Sequence, residues 1–334
     1  AGVQSAIAVV SGFEPAAFTA TAVSQSPATL ASVSPTTLVG QAGQPVSPPP
    51  SVRVTDAGGN PVPGVTVTFT VRGSGGQLAN RTGAGSVVTV ATDGSGTAAV
   101  TSWTLGTTVG TDSVEARASG PAGPLAGSPV LFVAVVLPAP AAQLWFLGQP
   151  TTVVAGQPMA PSVRVGVRDQ NGNLVSTYTG TVTLALGNAP PGGTLGGTTT
   201  AGVVGGIATF GGLILTRAGA GYTLVASAQP PIAPATSESF TVTASAAARL
   251  ALVVQPADTA ISGVKFTRQP AVRLEDTFGN PVSQVAVPAT ASIEIGGGSL
   301  GGTVTVATLA TGVASYTDLS LTGLPGLRTL LFSA

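Results

Sequence analysis

The sequence predicts an all-β chain built of tandem β-sandwiches, and three observations carry that expectation. The segment Asp-x-x-Gly-Asn-x-Val occurs three times, as Asp56…Gly59-Asn60-Pro61-Val62, Asp169…Gly172-Asn173-Leu174-Val175 and Asp276…Gly279-Asn280-Pro281-Val282, at spacings of 113 and 107 residues (56 to 169, 169 to 276). Alternating segments flank every copy: Ser51–Asp56, Ser162–Asp169 and Ala271–Asp276 ahead of it, Val65–Arg72, Thr181–Leu186 and Val287–Ile295 behind it. No stretch of comparable length has a helical period, and Gly, Pro and Thr, which disfavour helix, are frequent throughout. A unit of roughly 110 residues is large enough to hold its own core.

The alternation is clearest in Val65-Thr-Val67-Thr-Phe69-Thr-Val71, where Val and Phe fall on one face and Thr on the other, as in a half-buried strand. Thr181-Val182-Thr183-Leu184-Ala185-Leu186 reads the same way. In the first full repeat, strands are expected at Ala28–Val33, Ser51–Thr55, Val65–Arg72, Ser86–Ala91, Thr97–Leu105, Ser113–Ser119 and Pro129–Val136. About seven strands in that order fit an antiparallel Greek-key, immunoglobulin-like sandwich. The glycine-rich runs Gly73–Gly76, Gly192–Gly197 and Gly296–Gly302 recur between strands; no Lys-Ser/Thr and no helix follows them, so they read as turns and not as phosphate loops.

The expected division is 1–24, the terminal strands of a preceding or neighbouring sandwich, then sandwiches at 25–137, 138–245 and 246–334, the last lacking its final strand. The connections Pro138-Ala-Pro140-Ala-Ala and Ala244-Ser-Ala-Ala-Ala-Arg249 are only a few residues long, which limits hinge motion and predicts an elongated, fairly stiff rod.

Twelve Lys and Arg balance twelve Asp and Glu, so no electrostatic case exists for binding nucleic acid or anionic lipid. Charged residues make up 7% of the chain, against about 25% in an ordinary globular protein. A surface of Thr, Ser, Gly and Ala suits an extracellular sheet protein. The uncharged stretch from Ala118 to Val163 is interrupted by Pro121, Pro124, Pro129, Pro138, Pro140 and Pro150, and no membrane span is expected in it. The chain starts without Met inside a strand-like pattern, as a mature product or an excerpt would.

Two kinds of segment resemble bacterial immunoglobulin-like domains of the invasin and intimin type. They are Val52-Arg-Val-Thr-Asp56-Ala-Gly-Gly-Asn-Pro-Val-Pro-Gly-Val-Thr-Val-Thr-Phe69 and Thr92-Asp-Gly-Ser-Gly-Thr-Ala-Ala-Val100. Asp169–Asn173 with Gly206–Phe210, and Asp276–Asn280 with Gly312–Tyr316, match more weakly, and the likeness spans essentially the whole chain. The resemblance implies a non-enzymatic structural role at the bacterial cell surface, as a stalk or fibre subunit of stacked domains. The alternative it implies is an adhesin binding a glycan or protein through exposed loops.

The chain has no His and no Cys, which removes the commonest general base, the thiol nucleophile and nearly all zinc or copper chemistry. The adjacent acids Glu275 and Asp276 sit at a strand end, where neighbours point to opposite faces and cannot flank one substrate bond. No catalytic, cofactor-binding or metal-binding residues are therefore assigned, and no cofactor is expected. Asp56, Asp169 and Asp276, with Asn60, Asn173 and Asn280 nearby, could each lend one ligand to calcium; the competing reading is an Asx-type turn in which the Asn takes the left-handed conformation. Lys265, the one lysine, is the only candidate for a covalent Lys–Asn crosslink and is expected on the surface. Trp103, Trp145, Phe146 and Tyr178 are expected in core or junction packing and not on a sugar platform, and Asn80-Arg81-Thr82 has the N-glycosylation pattern.

Aligning the penultimate strands places Ala6, Val114, Leu224 and Leu330 in equivalent positions. Where the internal strand turns Glu115 and Arg117 outward, the opening strand turns out Ile7 and Val9, as if covered on both faces. Two expectations follow: continuation of a longer chain, or head-to-tail self-association in which the strand at Ala16–Ala22 completes another molecule's third sandwich.

Overall fold

Period-2 alternation of Val and Phe with Thr buries one face of each strand and leaves the other hydroxyl-rich, which is what two facing sheets require. The computed structural model describes residues 2–22, 25–73, 75–229 and 231–334, and among them there are strands and turns but no helix. The chain is divided into two compact units, Ala1–Ala142 with Arg168–Val175, and Gln143–Val167 with Ser176–Ala334.

In the first unit, five strands form one sheet in the order Thr37–Gln41, Val130–Leu137, Gly110–Arg117, Thr66–Arg72, Val87–Ala91. A second layer holds Thr97–Ala99, Ser51–Asp56 and Pro27–Ser32, with the short set Ser102–Thr104, Gln77–Ala79 and Ala84–Gly85. Phe69, Phe132, Leu78, Trp103, Val52 and Val54 fill the space between the layers and are essentially inaccessible.

Two departures from the expected strands have a clear cause. Thr37–Gln41 was not expected; the strand Pro27–Ser32 ends before the bend at Val33 and Ser34, and Thr37–Gln41, starting two residues after Pro35, runs parallel to Val130–Leu137 in the opposite sheet. The expected strand Thr97–Leu105 is broken at Val100 and Thr101. Thr97–Ala99 pairs with Ser51–Arg53, whereas Ser102–Thr104 pairs with Gln77–Ala79, so the chain changes sheets within one apolar run. The penultimate strand also begins earlier than expected, at Gly110.

The hairpin Gly2–Ala8 with Ala16–Ala22 sets Ala6 opposite Phe18, the pairing that Val114 makes with Phe132 in the first sandwich. Phe132 is fully buried, whereas Phe18 is 68% exposed, as are Val3, Ile7, Val9 and Phe13 to similar degrees.

The second unit contains two further sandwiches. In the first of these, Thr200–Val204 pairs with Thr181–Thr183 through one part and with Ile207–Ala208 through another, carrying a seven-stranded sheet around a corner. In the second, Arg249–Val254, Ala271–Glu275 and Val313–Ser315 face Thr305–Ala307, Pro288–Ile295 and Thr329–Ser333 across a core of Phe266, Val272, Ala289, Ala291, Ala314, Tyr316 and Leu319. Thr329–Ser333 pairs on one edge with Pro288–Ile295 and has no strand on its other edge among the described residues.

Candidate functional site

The repeated turn is the most highly organised polar feature of the chain. In each copy the aspartate ends a strand and folds its carboxylate back onto the turn. Asp276 Oδ1 accepts hydrogen bonds from the backbone N–H of Phe278 and of Asn280, both at 2.9 Å. Its Oδ2 accepts from Ser245 N–H at 3.0 Å and from Asn280 Nδ2 at 2.9 Å. Asp169 repeats the pattern with Asn171, Asn173 and Ala139, and Asp56 with Gly58, Asn60 and Gln25. Of the two sequence readings, the Asx-type turn is the one formed: both oxygens of each carboxylate face N–H donors, which leaves them poorly disposed to a cation.

One detail of that reading is corrected. The left-handed residue is the glycine and not the asparagine: Gly59, Gly172 and Gly279 have φ of 80°, 89° and 81°. A residue with a Cβ resists this region, so glycine supplies the bend and asparagine is left free to use its side chain.

Burial raises the pKa of Asp169 and Asp276, but the hydrogen bonds from Asn173 and Asn280 and from the turn amides outweigh it and hold both below the usual range. Asp56 is lowered from 3.8 to about 2, chiefly by the Gln25 and Asn60 amides. A depressed carboxyl pKa stabilises the folded state above the unfolded pKa, and that contribution is lost as pH falls through the folded value. Stability to urea is therefore expected to be level above about pH 5 and to fall between about pH 4 and 2; a flat profile across that interval would contradict the turn geometry.

Several other charged groups take part in ion pairs. Glu275 is buried against Arg249, whose Nη2 lies 3.0 Å away, and against Arg273, while its neighbour Asp276 serves the turn. Lys265 is exposed near Asp318, whose pKa is lowered chiefly by the Thr303 backbone amide and only in small part by Lys265. Among the described residues, no three acids gather as metal ligands. A concavity of about 440 Å³ on the first sandwich is lined by Asn80, Arg81, Thr82, Asp93 and Thr97 among others. Asp93 there is committed to its own turn through Ser95 and Thr97, and Asn80 donates to Thr89 O and accepts from Thr82 and Gly83.

The four aromatic residues singled out in the sequence are engaged in packing. Trp103 is fully buried, the ring of Trp145 lies over the backbone of Gly166, and that of Tyr178 over Gly180. Phe146 is buried. The glycine-rich runs are turns only in part: Gly73, Gly75, Gly192, Gly197 and Gly296–Gly298 have positive φ, but Leu195–Gly196 and Ser299–Gly301, inside the second and third runs, are short strands paired with Ile214–Leu215 and Ser320–Thr322; Ser74 lies outside the described residues.

The asparagine of the turn is a feature that sequence reasoning missed. Asn280 Nδ2 donates to Thr216 O at 2.7 Å, and its Oδ1 accepts from Ala218 N–H at 2.8 Å. Asn173 does the same with Thr107 O at 2.7 Å and Val109 N–H at 3.2 Å. These partners are backbone groups more than sixty residues away and leave no side-chain signature in the sequence.

No family model matches the chain, and no curated protein does. Among solved structures it is similar to bacterial immunoglobulin-like adhesins. The Escherichia coli adhesin FdeC matches at 20% identity over 93% of this chain and 94% of that one, with a TM-score of 0.42. Invasin, a bacterial integrin-binding protein, matches at 18% identity over 91% of this chain and 56% of that one, with a TM-score of 0.33, so this chain spans a little over half of that structure. The D0-D1 domain of intimin matches at 16% identity over 66% of this chain and 100% of that one, with a TM-score of 0.23. No helix among the described residues is long and apolar enough to cross a membrane.

Proposed function

We propose that this chain is a non-enzymatic, extracellular structural part of a bacterial surface adhesin, a series of immunoglobulin-like sandwiches serving as stalk or fibre body. The observation that supports this most is the use of the polar groups: the repeated carboxylates and carboxamides are consumed in turns and in turn-to-loop bonds, and none is left converging on a cleft. The hairpin Gly2–Ala8 with Ala16–Ala22 fits the same reading as the closing strand pair of a further sandwich, since its register repeats that of the first one.

One observation favours the alternative, binding of a surface ligand. The last strand of the first sandwich is apolar on both faces: Leu131, Val135 and Leu137, with Val39 on the neighbouring strand, remain 46–65% exposed. In the second sandwich the corresponding strand alternates as Phe240-Thr-Val242-Thr. An uncharged aliphatic stripe suits a protein ligand. The test is protease shaving of intact cells that carry the protein, together with binding of the immobilised chain to host matrix proteins. A stalk is released by protease and binds none of them saturably. Saturable binding lost in a Leu131→Thr, Val135→Thr variant would establish the adhesive role, and full protection from protease would overturn the surface location.

A further inference from the structure

The two side-chain oxygens of the turn aspartate are satisfied within the turn and by the incoming linker, so the turn is complete without any help from its asparagine beyond one intraturn bond. Yet in two of the three copies the carboxamide does more. It reaches a carbonyl and the amide two residues further on: Thr107 O and Val109 N–H for Asn173, Thr216 O and Ala218 N–H for Asn280. The third copy is an internal reference. Asn60 occupies the same turn, donates only to Asp56 at 3.1 and 3.2 Å, and is exposed, whereas Asn280 is completely buried.

A second contact accompanies the first. Each sandwich carries a tight turn, Ala42-Gly43-Gln44 and Ala155-Gly156-Gln157, with glycine at φ of 73° and 79°. Facing these glycines is the residue two after the aspartate. A Cβ on Gly156 would collide with the ring of Phe278, and one on Gly43 would lie 4.0 Å from Asn171 Nδ2. The same pair of elements, carboxamide on loop and side chain on glycine turn, is thus formed within each compact unit.

We propose that the asparagine of the Asp-x-x-Gly-Asn turn is a docking group that recognises the backbone of a neighbouring sandwich's loop, a carbonyl with an amide two residues on, and so fixes the third sandwich on the second. Only asparagine meets the chemistry. Its Nδ2 has two hydrogens, one for the Asp276 carboxylate and one for the Thr216 carbonyl, while Oδ1 faces the Ala218 amide. Aspartate would set an acceptor against both the carbonyl and the neighbouring carboxylate. This deepens the structural reading proposed above but uses readouts that do not depend on surface location or ligand binding.

The test is nuclear magnetic resonance on the whole chain. In the unaltered chain, the amide hydrogen of Ala218 is expected to exchange at least tenfold more slowly than that of Leu324, the equivalent loop position in the third sandwich, which is 84% exposed. Residual dipolar couplings of the second and third sandwiches should fit one alignment tensor. Asn280→Ala should release the Ala218 amide and split the tensor in two, whereas Asn60→Ala, which removes the same intraturn bond, should change neither. Equal exchange of Ala218 and Leu324 in the unaltered chain would overturn the proposal without any variant, as would a single tensor retained by a folded Asn280→Ala protein.

Discussion

Replacing Asp276 by alanine is expected to lower the stability of the third sandwich by about 3–5 kcal/mol, at the high end for a single polar substitution. The carboxylate is fully buried and accepts from the backbone amides of Phe278, Asn280 and Ser245, from Asn280 Nδ2 and, at 3.3 Å, from Ser245 Oγ. Each buried donor stripped of its acceptor costs about 1–3 kcal/mol, and hydrogen bonds to a charged group lie at the upper part of the range. The values do not simply add, because the Ser245 linker can relax toward water. Urea unfolding followed at the resonances of Tyr316 and Leu319 measures the loss, with the Trp103 resonances of the first sandwich expected to keep their midpoint. A loss below about 1 kcal/mol would mean that the turn holds by backbone geometry alone. Asp276→Asn keeps one acceptor oxygen but sets an NH₂ against the remaining donors, and should fall between the two.

The contrast between aspartate and asparagine shows what was legible in the sequence. Asp56, Asp169 and Asp276 bond within four residues and to the incoming linker, so the short-range chemistry of an Asx turn is readable from spacing. The bend falls on glycine because φ near 80° suits it, and the sequence offers a glycine in every copy. The asparagine's partners are backbone atoms of distant loops, Thr107 to Val109 and Thr216 to Ala218, where any residue type could stand. Strands behaved similarly. Thr66–Arg72 and Thr181–Leu186 announce themselves by alternation, whereas Thr37–Gln41 has a single apolar pair beside a glycine and is held as a strand only by its parallel neighbour Val130–Leu137. The break in Thr97–Leu105 is invisible for a related reason: both halves are buried alternately, but against different sheets.

Trp103→Ala should cost the first sandwich about 3–5 kcal/mol, the other large effect expected in this chain. The indole is wholly inaccessible, sits opposite Leu78 in its strand pair, and belongs to the core with Phe69 and Phe132. No cysteine staples this sandwich, so nothing but packing compensates for a cavity of that size. Trp103→Phe separates volume from polarity. The Nε1–H of Trp103 is buried with no hydrogen-bond partner among the described residues, and leaving a buried donor unpaired itself costs about 1–3 kcal/mol. Phenylalanine removes that penalty while giving up part of the ring volume, so the two effects oppose and the net change should stay within about 1 kcal/mol. Because the remaining tryptophan, Trp145, lies on Gly166 in the second unit, its fluorescence should report an unchanged midpoint in both variants while the resonances of Phe69 and Phe132 follow the first sandwich. Equal destabilisation by alanine and phenylalanine would show that the indole N–H is satisfied and that the core depends on it as a polar anchor as well as on its bulk.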